Sequence, residues 1–295
     1  MGVIRQVSEV LTAVSAIEGA GVHLRRAFGA DQGTLTDPFL QLDDFCSNSP
    51  ADYLPGYPWH PHRGLETITY VLAGSVTYSD SLGNRGVTPA GEVQWMTAGS
   101  GVVHQEMPRG DRGGHLAGLQ LWSNLPASLK MRPPRYIEIV SEEIPAVDLP
   151  GGGCILVISG KVGEAEGPVP DMMTTPLFLD VTLTPGATLD LDVTDGHTVI
   201  AYIMSGDLLP APGHGPVTAH KSVLYAHAGD TLALAAGEEG ARLFVIGGEP
   251  LGEPVVRQGP IVMNTAAELD TALRELQEGT FIKDFAAAPR DGGMD

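Results

Sequence analysis

Cysteine is scarce. The 295-residue chain has two, Cys46 and Cys154, far apart and in no CxxC pair. That argues against a thiolate metal site, a dithiol redox motif and a disulfide framework, and it suits a reducing cytoplasm. Basic residues are also few: 17 Lys and Arg stand against 36 Asp and Glu, for a formal net charge of -19. Such acidity repels phosphate backbones and anionic bilayers, so no direct binding to nucleic acid or to a membrane is expected. No run approaches the roughly 18 apolar residues that cross a bilayer. Gln6, Ser8 and Glu9 interrupt the apolar stretch that a secretory leader would need. There is no phosphate-binding loop, dinucleotide fingerprint or nucleophile elbow. The expectation is a soluble cytoplasmic monomer.

Glycine and proline, by contrast, are abundant, at 38 and 23. They punctuate short runs rich in Val, Ile, Leu, Thr and Tyr, among them "ETITYVLAGSVTYSDS", "EVQWMTAG", "HLAGLQLWSN", "HTVIAYIMSGDLL" and "ARLFVIGGEP". Closely spaced strands with turn signals predict an all-β chain of sandwich or barrel type. One helix is predicted near the end, in "NTAAELDTALRELQEG", with Asn264 or Thr265 as cap, Leu269, Leu273 and Leu276 at helical spacing, and Gly279 as stop. An internal repeat sets Ile68–Val76 on Val199–Leu208 and Gly91–Gly99 on Gly229–Gly237. It predicts two similar domains joined near "DLPGGG", over residues 1–148 and 149–295.

Residues i and i+2 of a strand share a face. His60 and His62 therefore project together, and so do His104 and Glu106. If their strands are neighbours, three imidazoles and a carboxylate converge. That donor set suits divalent iron, nickel, copper, manganese or zinc. The repeat places Asp192, Thr194, Arg242 and Phe244 at the corresponding positions of the second half, so one metal site is expected, in the first half. Glu66, four residues after His62, is read as a partner that orients an imidazole, with a fifth ligand or a surface acid as the other options. His115 reads as a loop or strand histidine; His197, His214, His220 and His227 read as surface or satisfied core residues. Trp59, Trp95 and Met96 read as core or pocket wall.

The stretch "HPHRGLETITYVLAGSVTYSDSLGNRGVTPAGEVQWMTAGSGVVHQEMP", His60 to Pro108, resembles the signature of the pirin family of bicupins. "TDPFLQLDDF" (Thr36 to Phe45) and "GEPLGEPVVRQGPIVMNTAAEL" (Gly248 to Leu269) resemble its N- and C-terminal segments, and the match is weakest between about 151 and 240. The resemblance implies two cupin β-barrels packed face to face, with iron held in the first by His60, His62, His104 and Glu106. Some members of the family open the flavonol quercetin with dioxygen; others are redox-sensitive regulators that bind a transcription factor or a metabolic enzyme. For a dioxygenase, Glu106 is the expected catalytic group, and Trp59, Met96 and Val103 are expected to wall the pocket. For a regulator, a protein partner is expected instead.

Overall fold

The computed structural model describes residues 2–169, 174 and 177–283. Alternating apolar and polar residues between glycine-marked turns give antiparallel strands throughout. The first barrel has two walls. One is a seven-stranded sheet in the order Arg135–Ile139, Val93–Thr97, Leu65–Ala73, Ala117–Asn124, Phe39–Asp44, Val22–Phe28, Val14–Glu18. The other is a four-stranded sheet in the order Tyr57–His62, Val102–Arg109, Ser75–Asp80, Arg85–Pro89. The second barrel is a nine-stranded sheet. Its 18-residue strand Thr231–Gly248 pairs first with Thr188–Asp192 and then with Leu177–Leu183.

The barrels pack through the outward faces of their central strands. Phe39, Leu42, Ile68, Trp95, Leu119 and Leu121 of the first meet Phe178, Ile200, Leu224, Phe244 and Ile246 of the second in one buried cluster. Polar pairs are set within it. Tyr70 Oη donates to Asp180 at 3.1 Å, and Tyr202 Oη donates to Asp44 at 2.7 Å. The two tyrosines hold the same register: Tyr70, Leu119 and Asp44 form one row across the first sheet, and Tyr202, Phe244 and Asp180 form one across the second. Asp180 also accepts two hydrogen bonds from Arg242, at 3.1 and 2.7 Å.

Each end of the chain crosses to the other barrel. Val7–Thr12 pairs with Lys221–Tyr225 in the second barrel's sheet. The segment after the second barrel returns to the first, where Ile261 bridges Arg63. The helix Ala266–Glu278 follows, as predicted. Thr265 Oγ1 accepts from the Glu268 amide, Glu268 accepts back from the Thr265 amide, and Gly279 ends the helix at φ 72°. Leu269 and Ala272 bury against Ile261, Met263 and Phe281, while Leu276 stays exposed. Arg63, itself buried, clamps this segment: it donates to Glu275 and to the Phe281 carbonyl, each at 2.8 Å, and lies 4.1 Å over the Phe281 ring. The 148/149 boundary falls within a strand pair of the second sheet, Ala146–Asp148 with Gly153–Ser159. No helix among the described residues is long and apolar enough to cross a membrane.

The internal repeat needs one correction. Val93–Thr97 pairs with Leu65–Ala73 through Trp95 and Ile68, and the strand that pairs with Thr198–Leu209 in the same way, through Leu224 and Ile200, is Lys221–Tyr225. Gly229–Gly237 is thus one strand too far along. Arg242 and Phe244 lie on the part of the long strand that pairs with Leu177–Leu183, so they are not the counterparts of His104 and Glu106. The strands that follow this pattern, Thr188–Asp192 and the start of Thr231–Gly248, turn Leu189, Leu191, Leu232 and Leu234 into the barrel. Asp192 is exposed.

Two outcomes are expected from this packing. Ending the chain after Asp148 strips Val7–Thr12 of its sheet and uncovers the apolar cluster, so the fragment should aggregate during size-exclusion chromatography. Tyr202→Phe should leave Asp44 short of a donor and lower stability by about 1.5–3 kcal/mol, read from urea unfolding.

Candidate metal centre

The strand Tyr57–His62, which contains Pro58 and Pro61, lies antiparallel to Val102–Arg109, with His60 opposite His104 and His62 opposite Val102. Gly64 turns the chain at φ 77°; a Cβ there would collide with the Val262 carbonyl, so only glycine lets the returning C-terminal hairpin lie against this turn. Ring centroids of the three imidazoles are 4.4 to 4.8 Å apart. Their ligand atoms lie within 4.8 Å of one another. His60 Nδ1 is 2.8 Å from the Pro58 carbonyl, which turns its Nε2 toward His104 Nε2 at 3.0 Å.

Such a cluster is costly unless something occupies its centre. His60 Nε2 and His104 Nε2 both face that centre, while the Nδ1 atoms of His62 and His104 are buried with no hydrogen-bond partner. Burial pushes the His62 imidazole well below its ordinary pKa, with the neighbouring imidazoles adding to the effect. Burial pushes His104 down to about 4, against the opposing pull of Glu106. Both are therefore neutral near pH 7, which is the ligating form. Two nitrogens about 2.1 Å from one ion at right angles would be roughly 3.0 Å apart, which is the His60–His104 spacing. The residues fit a divalent cation.

Glu106 stands beside the imidazoles, its Oε2 3.8 Å from His104 Nε2. Gln120 holds it. The Gln120 amide nitrogen donates to both Glu106 oxygens, at 3.1 and 3.2 Å, and lies 3.0 Å from Thr69 Oγ1. The Trp122 indole donates to Gln120 Oε1 at 2.9 Å, which fixes the side of the amide that faces the carboxylate. His60, Glu106, Gln120 and Trp122 open onto a cavity of about 630 Å³. Tyr57, Trp59, Val76 and Leu116 supply apolar wall. The volume is in the range that takes a drug-sized aromatic ligand.

His60, His62 and His104 come together as the strand period predicts, with Glu106 next to them. Glu66 does not join them. The turn at Gly64 ends the first strand, and the next, Leu65–Ala73, runs in unbroken register with Val93–Thr97. Glu66 thus shares a face with Ile68 and Tyr70, which pack toward the second barrel, and not with Thr69, which lines the cavity. It accepts from Thr97 Oγ1 at 2.6 Å, and burial raises its pKa. Met96 and Val103 are not cavity wall either: Met96 packs with Ala98 and Val102, and Val103 against the C-terminal hairpin and helix. Trp95 is core. His115 lies 2.7 Å from Asn48 in an exposed position. The motif spacing does not single out Gln120 and Trp122; their signal is the i, i+2 placement of a polar and an aromatic residue inside an apolar strand.

The family model described as Pirin matches residues 21–123, and that of the Pirin C-terminal cupin domain matches 178–282. A Pseudomonas aeruginosa protein named "Putative quercetin 2,3-dioxygenase" is 41% identical over 279 residues, 93% of this chain and 97% of its own. Pirin of Rattus norvegicus is 39% identical over 264 residues, 88% of each chain. The crystal structure of quercetin 2,3-dioxygenase from Acinetobacter baumannii superposes with a TM-score of 0.85 at 32% identity, covering 94% of this chain and 98% of its own. Two cupin barrels, the imidazole cluster in the first of them and these matches along nearly the whole chain place the protein in the pirin family.

Proposed function

We propose that the chain is an iron-dependent dioxygenase that opens a flavonol ring with dioxygen, in the manner named for its Pseudomonas and Acinetobacter relatives. The observation that carries this reading is the junction of three imidazoles and one carboxylate with a cavity of about 630 Å³ walled in part by aromatic residues. His60, His62, His104 and Glu106 would hold the ion. Bound there, ferrous iron supplies Lewis acidity toward a substrate hydroxyl and redox access to dioxygen.

The chain supplies the rest. Tyr57, Trp59 and Trp122 would hold the flat ring system and keep water from it. Glu106 would take the proton of the flavonol hydroxyl. Gln120 steadies that carboxylate, and the Trp122 indole steadies Gln120. The second barrel contributes rigidity: its buried cluster is apolar, built mainly of leucine, valine, isoleucine and alanine. A cytoplasmic setting suits the two unpaired thiols, Cys46 and Cys154.

Anaerobically purified protein should take up about one ferrous ion per chain. With quercetin it should consume dioxygen and release carbon monoxide. A chain that binds iron but consumes no dioxygen would sink the enzymatic reading. His104→Ala should lose the metal. Glu106→Gln should lower turnover by on the order of a hundredfold, with a smaller change in flavonol affinity measured by tryptophan quenching. Unchanged turnover in that variant would remove Glu106 from the mechanism.

A further inference from the structure

The cavity carries a charged group that the proposed reaction leaves unused. Arg257 lies on the short strand Val256–Gln258, and with Gly259 and Pro260 it forms part of the cavity wall. This hairpin belongs to the segment that returns from the second barrel, so the wall is completed from the far end of the chain. Two guanidinium groups line the cavity, and their states differ. Arg26 is fully engaged: it donates to both oxygens of Asp43, at 2.9 and 3.0 Å, and to Glu18 at 2.8 Å. Gln41 also donates to Asp43, at 2.7 Å. The Arg257 side chain makes no hydrogen bond or ion pair among the described residues, although the residue is only partly exposed.

The charged groups that act on Arg257 are Arg26, Asp31, Asp43 and Glu18. Asp43 and Glu18 are held by Arg26, and Asp31 comes within ion-pair distance of neither arginine. Burial and the like charge of Arg26 outweigh all three acids and lower the Arg257 pKa. An arginine offers five donors in a planar fork that matches a carboxylate. A partly buried fork with no acceptor is stabilised by an anion that docks against it. None of its charged neighbours belongs to the imidazole triad, nor is Glu106 among them, so Arg257 addresses a different part of a bound molecule.

We propose that Arg257 is an anion subsite of this cavity, and that the preferred substrate is an aromatic hydroxy compound bearing a carboxylate at the end received by Arg257. This rests on the reading of the cavity as the substrate site and narrows its substrate class.

The test uses the iron-loaded full chain and two probes of equal size, 4-hydroxybenzoate and 4-hydroxybenzamide, with binding measured by calorimetry. Wild type should bind the carboxylate about tenfold more tightly than the amide. Arg257→Gln should lose that preference with metal content unchanged, and Arg257→Lys should keep part of it. Equal affinity in wild type, binding of neither probe, or a preference that survives in Arg257→Gln would overturn the proposal; the last would mean that the carboxylate goes to the metal. Quercetin-dependent oxygen uptake in wild type separates the two readings. Turnover without a carboxylate preference overturns the subsite alone. A preference that depends on Arg257, without turnover, overturns the dioxygenase alone.

Discussion

The two barrels are held by a reciprocal pair of hydrogen bonds. Tyr70 of the first reaches Asp180 of the second, and Tyr202 of the second reaches Asp44 of the first. The aspartates are buried, and a buried carboxylate without donors would be strongly unfavourable. Each aspartate has donors in its own barrel, Arg242 for Asp180 and the Cys46 amide for Asp44, and the other barrel's tyrosine adds one more. The apolar cluster around them supplies most of the attraction, but hydrocarbon is not directional. The tyrosine pairs fix the register, and because they occupy matching rows in the two sheets they relate the barrels by an approximate twofold axis.

Within that shared frame the interiors have diverged position by position. Thr67 and Thr69 of one central strand match Val199 and Ala201 of the other, and Gln120 matches Val245. The first barrel holds its polar groups around a cavity, at the cost of buried atoms such as His62 Nδ1 and His104 Nδ1 that find no partner in the protein. The second lines the corresponding positions with leucine, valine and alanine. One barrel concentrates the chemistry and the other the packing, and the paired face lets the packed one support the polar one.

Much of this is legible in the sequence. The HxH and HxE spacings point to one face because strand geometry has period two, and the helix is marked by its capping box and its terminal glycine. The failures have equally local causes. Counting along the chain puts Glu66 in phase with His62, but Gly64 at positive φ resets the alternation between them. The repeat slips because two strands that are separate in the first barrel are fused in the second into Thr231–Gly248, so that a glycine–acid start resembles an earlier strand. Arg257 cannot be found from spacing: it is about 150 residues from the motif, and only the returning chain brings it to the cavity.

That return has a consequence for the order of assembly as the chain leaves the ribosome. The histidines at 60, 62 and 104 emerge early, but the strand Val7–Thr12 must wait for Lys221–Tyr225, and the cavity wall must wait for Arg257, Gly259 and Pro260. Contacts that span more than 200 residues close slowly. The nascent first barrel therefore stays open on one side until the segment around Arg257 has emerged, and only then does its polar interior become a bounded chamber.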